Sequence, residues 1–345
     1  MADVRPRVSI IVVTWNALPL LKQCFPSVAA TDYENLEIIL ADNASDDGSI
    51  EWIRRHFPNI RVLRYTENQM FCRGNNEAIP HATGKYVLLL NNDVAVPPGW
   101  LNPLVDELET CEDIAAVQPK VLQYEDRSMF EYAGASGGFM DRLGYPFARG
   151  RIFFRLEKDC GQYDEPRDIF WGTGAALLLR RSALDKVGLL DERFEMHMEE
   201  IDLCWRFQRA GYRIRVQPAS EVYHIGGGSL RRGNPRKVYL TFRNNLLMLY
   251  KNLPEPEWKR VFAARCALDA AAAARALVSG HPTEYTAIMR AYTDAHRMKN
   301  SWNCGTIRPE TLSETVLPSY RNSIVIDYFL RGRRRFDVLP KKAFV

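Results

Sequence analysis

Three short polar clusters and one longer polar stretch occur in the first hundred residues, each following an apolar run. They are Thr14-Trp15-Asn16, Asp42-Asn43-Ala44-Ser45, the stretch 68–76 (NQMFCRGNN) and Asn91-Asn92-Asp93. Two further groups come later: the acidic run Glu199-Glu200-Ile201-Asp202, and His224 just ahead of three glycines. Carboxylates at such positions suit metal and acid–base chemistry: a divalent cation is usually held by one or two carboxylates together with a substrate's own phosphates. Asp93 is the carboxylate available for that. An attacking hydroxyl must also lose a proton, and one positioned carboxylate from the pair Glu199 and Glu200 suffices. Each group also has a plainer reading. Asp42-Asn43 could cap a helix, Asn91-Asn92-Asp93 could form a turn, and His224 could be a hydrogen-bonded structural residue.

Hydropathy patterning supplies the elements that must position these groups. Apolar runs predict strands over 8–13, 36–41, 60–65 and 85–90, and helical spacing predicts helices over 18–28, 49–57, 75–81 and 97–110. This βα alternation argues for a mostly parallel sheet with helices on both faces. Ligands of such sheets lie at the carboxyl ends of the strands, where all four early clusters fall. Farther on, strands are expected over 117–123, 130–139, 175–179 and 213–216, with a helix from 182 and another over 199–210. Residues 148–167 read as a loop, and 145–170 as an aromatic acceptor lid. Helices are expected over 236–252, 257–278 and 283–298, followed by an irregular tail.

Composition narrows the classes. The 345 residues are 46% hydrophobic and 26% charged, a globular balance. Seven scattered cysteines without a C-x-x-C pair read as thiols of a reducing compartment. No run approaches the ~20 apolar residues of a membrane span, and the N-terminus lacks a signal-peptide core. A cytoplasmic protein is expected. The net charge of +4 conceals an asymmetry: residues 226–345 hold 21 basic and 9 acidic residues.

The strings VSIIVVTWN, ADNASDDGS, GNNEAIPHATGKYVLLLNNDV, WGTGAALLLRR, GLLDERFEMHMEEIDLCWRFQRAGY and EVYHIGGGS occur in one order. Together they resemble the inverting family 2 glycosyltransferases of the GT-A fold, over about residues 7–230. Within that family the pattern is most similar to O-antigen-type rhamnosyltransferases. The resemblance implies an α/β GT-A domain over 1–230, with a nucleotide-binding half (1–120) and an acceptor and catalytic half (121–230), followed by a basic helical region over 231–345. It implies an inverting transfer from a UDP- or dTDP-sugar, dTDP-L-rhamnose among them, to a glycan acceptor, with Mn2+ or Mg2+ as cofactor. Asp93 and His224 would hold the metal. The family's Asp-x-Asp is Asn91-Asn92-Asp93 here, which leaves fewer protein ligands. Asp42 would accept the imide N–H of uracil or thymine. Thr14, Asn16 and Asn43 would line the nucleoside, and Asn68, Gly74, Asn76 and Asn92 the ribose and diphosphate. Glu200 would be the base and Glu199 its neighbour. Trp171, with Gly172 and Thr173, would meet the sugar, unless Trp171 is simply core. Asp191 would help to order the site.

Beyond the resemblance, Arg231, Arg232, Arg236, Lys237 and Arg243 alternate with Val238, Leu240, Phe242, Leu246, Leu247 and Leu249. A basic amphipathic helix suggests an anionic membrane surface on the inner membrane's cytoplasmic face, and a lipid-linked glycan acceptor. The other reading is helix packing on the catalytic body or on a second copy in a homodimer. A nucleotidyltransferase would want a Gly-rich basic loop after the first strand, and 14–18 lacks one. A non-catalytic scaffold would not need Asp93, Glu200 and His224. No nucleic-acid-binding motif accompanies the basic residues.

Overall fold

The computed structural model describes residues 5–226, 234–302 and 319–344. The first half alternates β1 (Val8–Thr14), α1 (Leu18–Ala29), β2 (Leu36–Asp42), α2 (Ser49–His56), β3 (Arg61–Arg64), α3 (Met70–Ala78), β4 (Tyr86–Asn91), β5 (Val94–Ala95) and α4 (Leu101–Thr110). Strands β3, β2, β1 and β4 are adjacent and parallel. Their continuous apolar sequences bury both faces, as a helix-covered sheet requires. Ile11, Ile39, Val87 and Leu89 point into one core, and Val8, Ile10, Val12, Leu40 and Leu88 into the other.

The second half adds β6 (Ile114–Gln123), β7 (Gly138–Asp141), β8 (Pro146–Ala148), β9 (Arg151–Ile152), β10 (Arg155–Leu156), β11 (Arg167–Ile169), β12 (Ala176–Arg180), α5 (Arg181–Val187), α6 (Glu199–Arg209) and β13 (Arg213–His224). The large sheet runs β11-β13-β6-β12-β4-β1-β2-β3, with β5 also on β13. Its parallel half is as expected. The other half is mixed, because β12 is antiparallel to both β4 and β6, and β11 and β5 are antiparallel to β13.

Two expectations fail around residue 150. Of 130–139 only its end, in β7, is strand, and 148–167 is not a loop. A second sheet, β10-β9-β8-β7-β14, fills this region, where β14 is Ser319–Tyr320. Phe147, Ile152, Tyr163 and Phe170 of this region are buried, whereas Phe154 and most of 160–167 are exposed, so 145–170 carries a small sheet with its aromatic side in the core rather than a loop. Short strands with two-residue turns lack the long alternation by which a strand is recognised.

The C-terminal part contains α7 (Pro235–Asn252), α8 (Glu255–Val278), α9 (Pro282–Trp302), β14 and α10 (Ile324–Phe329). It is not a separate appendage. Leu246, Leu247, Met248 and Leu249 of α7 join the same core as β7, α5 and α6. A side chain on Gly144 would strike Leu249, so α7 lies against that turn. Burying each such leucine contributes about 1.5–3 kcal/mol. The tail expected to be irregular pairs β14 with β7 and packs Phe336 and Phe344 on Phe139 at 5.0 and 5.3 Å between ring centroids. Of the two readings of 236–252, packing on the catalytic body is the one seen, and docking of its apolar face on a membrane is corrected. Leu240, Leu246, Leu247 and Leu249 face protein, and Arg243 is buried. Arg231 and Arg232 lie outside the described residues. The six described cysteines are free thiols. Among the described residues no helix is long and apolar enough to cross a membrane.

Candidate functional site

Register brings the early clusters to one edge. Thr14 lies opposite Asp42, Asp42 opposite Arg64, and Val13 opposite Asn91. The Asn92 amide donates to Thr14 Oγ1 at 3.1 Å, tying the ends of β4 and β1 together. Asn16, at φ 43, donates its backbone N–H to Ser45 Oγ at 3.0 Å and accepts from the Asp46 N–H at 2.9 Å. Asp42 is fully buried. Its Oδ1 accepts the Ser45 N–H at 3.0 Å, while Oδ2 has no hydrogen-bond partner among the described residues and faces Arg64 Nε at 3.6 Å. Burial raises the Asp42 carboxyl, against the Ser45 hydrogen bonds and Arg64, which lower it. A buried carboxylate with one open oxygen is suited to a single N–H donor. Arg64 escaped the sequence reading, although a basic residue closing the third strand was a usable signal.

The metal-ligand candidates meet through β5. Because Val94 pairs with His224 at the end of β13, Asp93 is carried to that histidine across 131 positions of sequence. His224 Nε2 lies 3.1 Å from Asp93 Oδ1, and Nδ1 lies 3.1 Å from Glu131 Oε2. All three side chains are buried. Burial alone would lower the imidazole, but Asp93 and then Glu131 outweigh it and raise it to about 10. Two carboxylates on one imidazole favour a positive charge there, whether a proton or a metal cation. The donor set of one carboxylate and one imidazole fits a divalent ion that also takes phosphate oxygens. Glu131 has the place of the outer partner that fixes a ligating histidine. No sequence motif marked it, because it comes from an irregular segment between β6 and β7.

The acid pair begins α6 after an unusual turn. Glu195, His197 and Met198 have φ 65, 70 and 75, left-handed values that cost non-glycine residues of order 1–3 kcal/mol each. A bracket holds the turn. The Asn244 amide of α7 donates to the carbonyls of Phe194, Met196 and His197 at 2.8, 2.9 and 2.8 Å. Arg243 donates to Glu195 Oε1 at 2.9 Å and to the Arg193 and Phe194 carbonyls at 3.3 and 3.2 Å. From the donor side, the Cys72 N–H donates to the Glu195 carbonyl at 3.1 Å, and the Asn43 amide to the Met70 carbonyl at 3.0 Å. His197 Nε2, Glu199 Oε2 and Glu200 Oε2 are buried with no hydrogen-bond partner among the described residues. Burial, then the neighbouring Glu200, raises Glu199 far above the ordinary carboxylate range, and burial raises Glu200 to about 7. Gly174 stands beside both Phe71 and Glu200.

Several expected contacts are used up within the protein. A side chain on Gly74 would press on Val13 and Asn43 at 3.1 and 3.2 Å, so this glycine seats α3 on the sheet. Asn76 is bonded through its amide to the Leu190 carbonyl at 2.8 Å and to Glu192, and accepts from the Leu190 N–H. Asn68 accepts the Met70 N–H at 2.9 Å. Trp171 is core: its ring lies on Gly138, and its indole N–H donates to the Phe139 carbonyl at 3.0 Å. That leaves no free face for a sugar. The Gly172 N–H contacts Cys204 Sγ at 3.5 Å, and the Thr173 N–H donates to Gln118 at 2.9 Å. Asp191 pairs with Arg193 and Lys251, and the same lysine pairs with Asp202. Burial would raise Asp191, but these cations hold it down at about 2.

Comparison with known proteins agrees with this architecture. Over 240 residues the chain is 28% identical to the N-acetylglucosaminyl-diphospho-decaprenol L-rhamnosyltransferase of Mycobacterium tuberculosis, covering 65% of this chain and 76% of that one. It is 30% identical over 233 residues to the O-antigen biosynthesis protein RfbC of Myxococcus xanthus, covering 66% of this chain and 18% of that much longer protein. Among solved structures, GalNAc-T7 with UDP, GalNAc and Mn2+ superposes with a TM-score of 0.58 at 17% identity, covering 73% of this chain and 49% of that one. At that identity the likeness shows the GT-A fold alone. The Glycosyl transferase family 2 model matches residues 9–188. With more than half of its residues in that match, the chain belongs to glycosyl transferase family 2.

Proposed function

We propose that the chain transfers L-rhamnose from dTDP, with inversion, to a lipid-linked glycan acceptor during assembly of a bacterial surface polysaccharide. The observation that carries this reading is the orphaned acid pair. Among the described residues, Glu199 and Glu200 each keep a buried oxygen without a partner, at the start of α6 just after a strained turn that α7 holds. Buried unpaired carboxylates cost stability, so a structural role does not account for them. The mycobacterial relative's name, an L-rhamnosyltransferase acting on a diphospho-decaprenol, supports the sugar and the lipid-linked acceptor.

In this reading Asp42 accepts the N3–H of thymine or uracil through its open oxygen. Thr14, Asn16 and Asn92 shape the crevice beside it. Asp93 and His224 would hold Mn2+ or Mg2+, which would supply positive charge to the leaving diphosphate. Glu200 accepts the proton of the acceptor hydroxyl as that oxygen bonds to the anomeric carbon. The bond from that carbon to the diphosphate oxygen breaks, and its electron pair leaves with the diphosphate. Attack opposite the leaving group inverts the configuration. Glu199 lies next to Glu200, and burial holds its own carboxyl protonated well above the ordinary range, so the negative charge of the pair falls on Glu200 near neutral pH.

The test is turnover of a panel of dTDP-, UDP- and GDP-sugars on a synthetic prenyl-diphosphate acceptor, with the product's anomeric configuration read by NMR coupling. Transfer from dTDP-L-rhamnose with inversion is expected. Retention of configuration, or a preference for GDP-sugars, would contradict the assignment.

A further inference from the structure

The expected membrane helix is buried, yet another surface has the required chemistry. We propose that the tip of the β9–β10 hairpin, the end of α8 and the segment after α10 form one docking surface for an anionic lipid bilayer. It deepens the proposed reading, since a lipid-linked acceptor sits in such a surface, and it rests on that reading only there.

Strands β9 and β10 are joined by Phe153-Phe154, with Phe153 at φ 47. Bulky residues rarely adopt this region, and two-residue hairpins favour Asn-Gly there. Phe153 packs on Tyr328 and Phe329 at 5.1 and 5.3 Å. Phe154 instead stands 64% exposed, and nearby Leu330 is 80% exposed. The strained tip therefore offers an aromatic ring to the surroundings. A cleft of about 460 Å³ opens beside it, lined by Phe154, Arg155, Tyr328, Arg334, Arg335 and Val338. None of these is a candidate site residue.

Cations frame the apolar groups. Arg275 of α8 lies 5.2 Å from the Phe154 ring, next to exposed Leu277 and Val278, and Arg334 lies 5.7 Å from Tyr328. Arg335 is neutralised by Asp337. Arg155, Arg275 and Arg334 have no carboxylate partner among the described residues. Residues 319–344 carry seven basic and two acidic side chains, a net of +5. Unpaired cations around exposed Phe, Leu and Val match a bilayer, whose anionic headgroups lie over an apolar layer. A nucleic acid would meet the cations but has no use for exposed Leu330, Leu277 and Val278.

The experiment is sedimentation of the full chain with phosphatidylglycerol–phosphatidylcholine vesicles. The variants are Arg155→Gln/Arg275→Gln/Arg334→Gln and Phe154→Ser/Leu330→Ser. The exposed sites should leave the unfolding midpoint and nucleotide-sugar hydrolysis unchanged. The triple variant should bind about a hundredfold more weakly at low salt. The apolar pair should remove the binding that persists at high salt. Equal binding of native protein to pure phosphatidylcholine, native-like binding by the triple variant, or displacement by equimolar RNA phosphate would overturn the proposal. Vesicle binding is read without any sugar transfer, so its failure and failure of the proposed reaction are told apart.

Discussion

At the donor edge, polar groups come from consecutive ends of parallel strands; at the acid turn, two glutamates come from a segment with three left-handed residues in a row of four. The first arrangement is a by-product of the sheet. Once β1, β2 and β4 pair in register, Thr14, Asp42 and Asn91 are neighbours with no further device. The second must be held. Asn244 spends its amide on three carbonyls of the turn, and Arg243 braces it from the same helix. In the proposed reading, donor recognition would be carried by local chain order, and base positioning by a helix that starts some 35 residues after the acid pair. Substitutions on the donor side should change binding, and those on the acid side should change turnover.

The largest effect is expected at the base itself. Glu200→Gln should lower turnover by about 10²–10⁴-fold, the usual contribution of a general base, with donor affinity by calorimetry unchanged. Since Glu200 is raised to about 7, the native rate should climb with pH through that value and level off above it, as the carboxyl loses its proton. A flat profile from about pH 5 to about pH 9 would remove Glu200 from the role.

Next comes the bracket. Asn244→Ala leaves buried carbonyls without a donor, each costing about 1–3 kcal/mol, and frees the strained turn to relax. Turnover should fall about a hundredfold through misplacement of the base, while the Michaelis constant for the donor stays put. Equal losses in donor affinity and rate would show the two regions to be one unit. Glu131→Gln probes the metal corner. It should weaken Mn2+ affinity about 10–100-fold, the usual cost of losing an outer partner of a ligating histidine, as measured by titration with Mn2+ alone. A change of similar size is expected at Asp42→Asn, which presents a donor to the nucleobase's own N–H. Binding of dTDP should weaken by about 1–3 kcal/mol at unaltered turnover under saturation.

The acid pair also bears on stability. A carboxyl raised by burial favours the folded state while protonated and opposes it once ionised. Stability therefore falls as pH rises from the unfolded value near 4.5 through the raised folded value. Glu199→Gln should consequently melt higher than the native chain at neutral pH and above, and the gain should vanish near pH 4.

The expectation for Trp171 shows where reading from residue type stops. A tryptophan before a buried strand suits both a sugar face and a core, and the choice fell to Gly138, whose missing side chain leaves room for the ring. Gly74 and Asn76 are similar: each has the residue type for ligand contact, but their partners are Val13, Asn43 and the Leu190–Glu192 segment, distant in sequence.

From sequence alone came the parallel strands and the polar groups at their ends, Asp42 and Asp93 among them, because apolar period and strand order act over a few residues at a time; the resemblance of the motifs to a family added the roles of His224 and of Glu200 over Glu199. Tertiary structure alone decided that β12 runs antiparallel, that β5 carries Asp93 to His224, that Glu131 stands behind that histidine, and that α7 grips the acid turn. The physical reason is the same in each case. These contacts pair groups far apart along the chain, and neither hydrophobic period nor turn chemistry carries information about a partner a hundred residues away; only the packing of the whole core selects it.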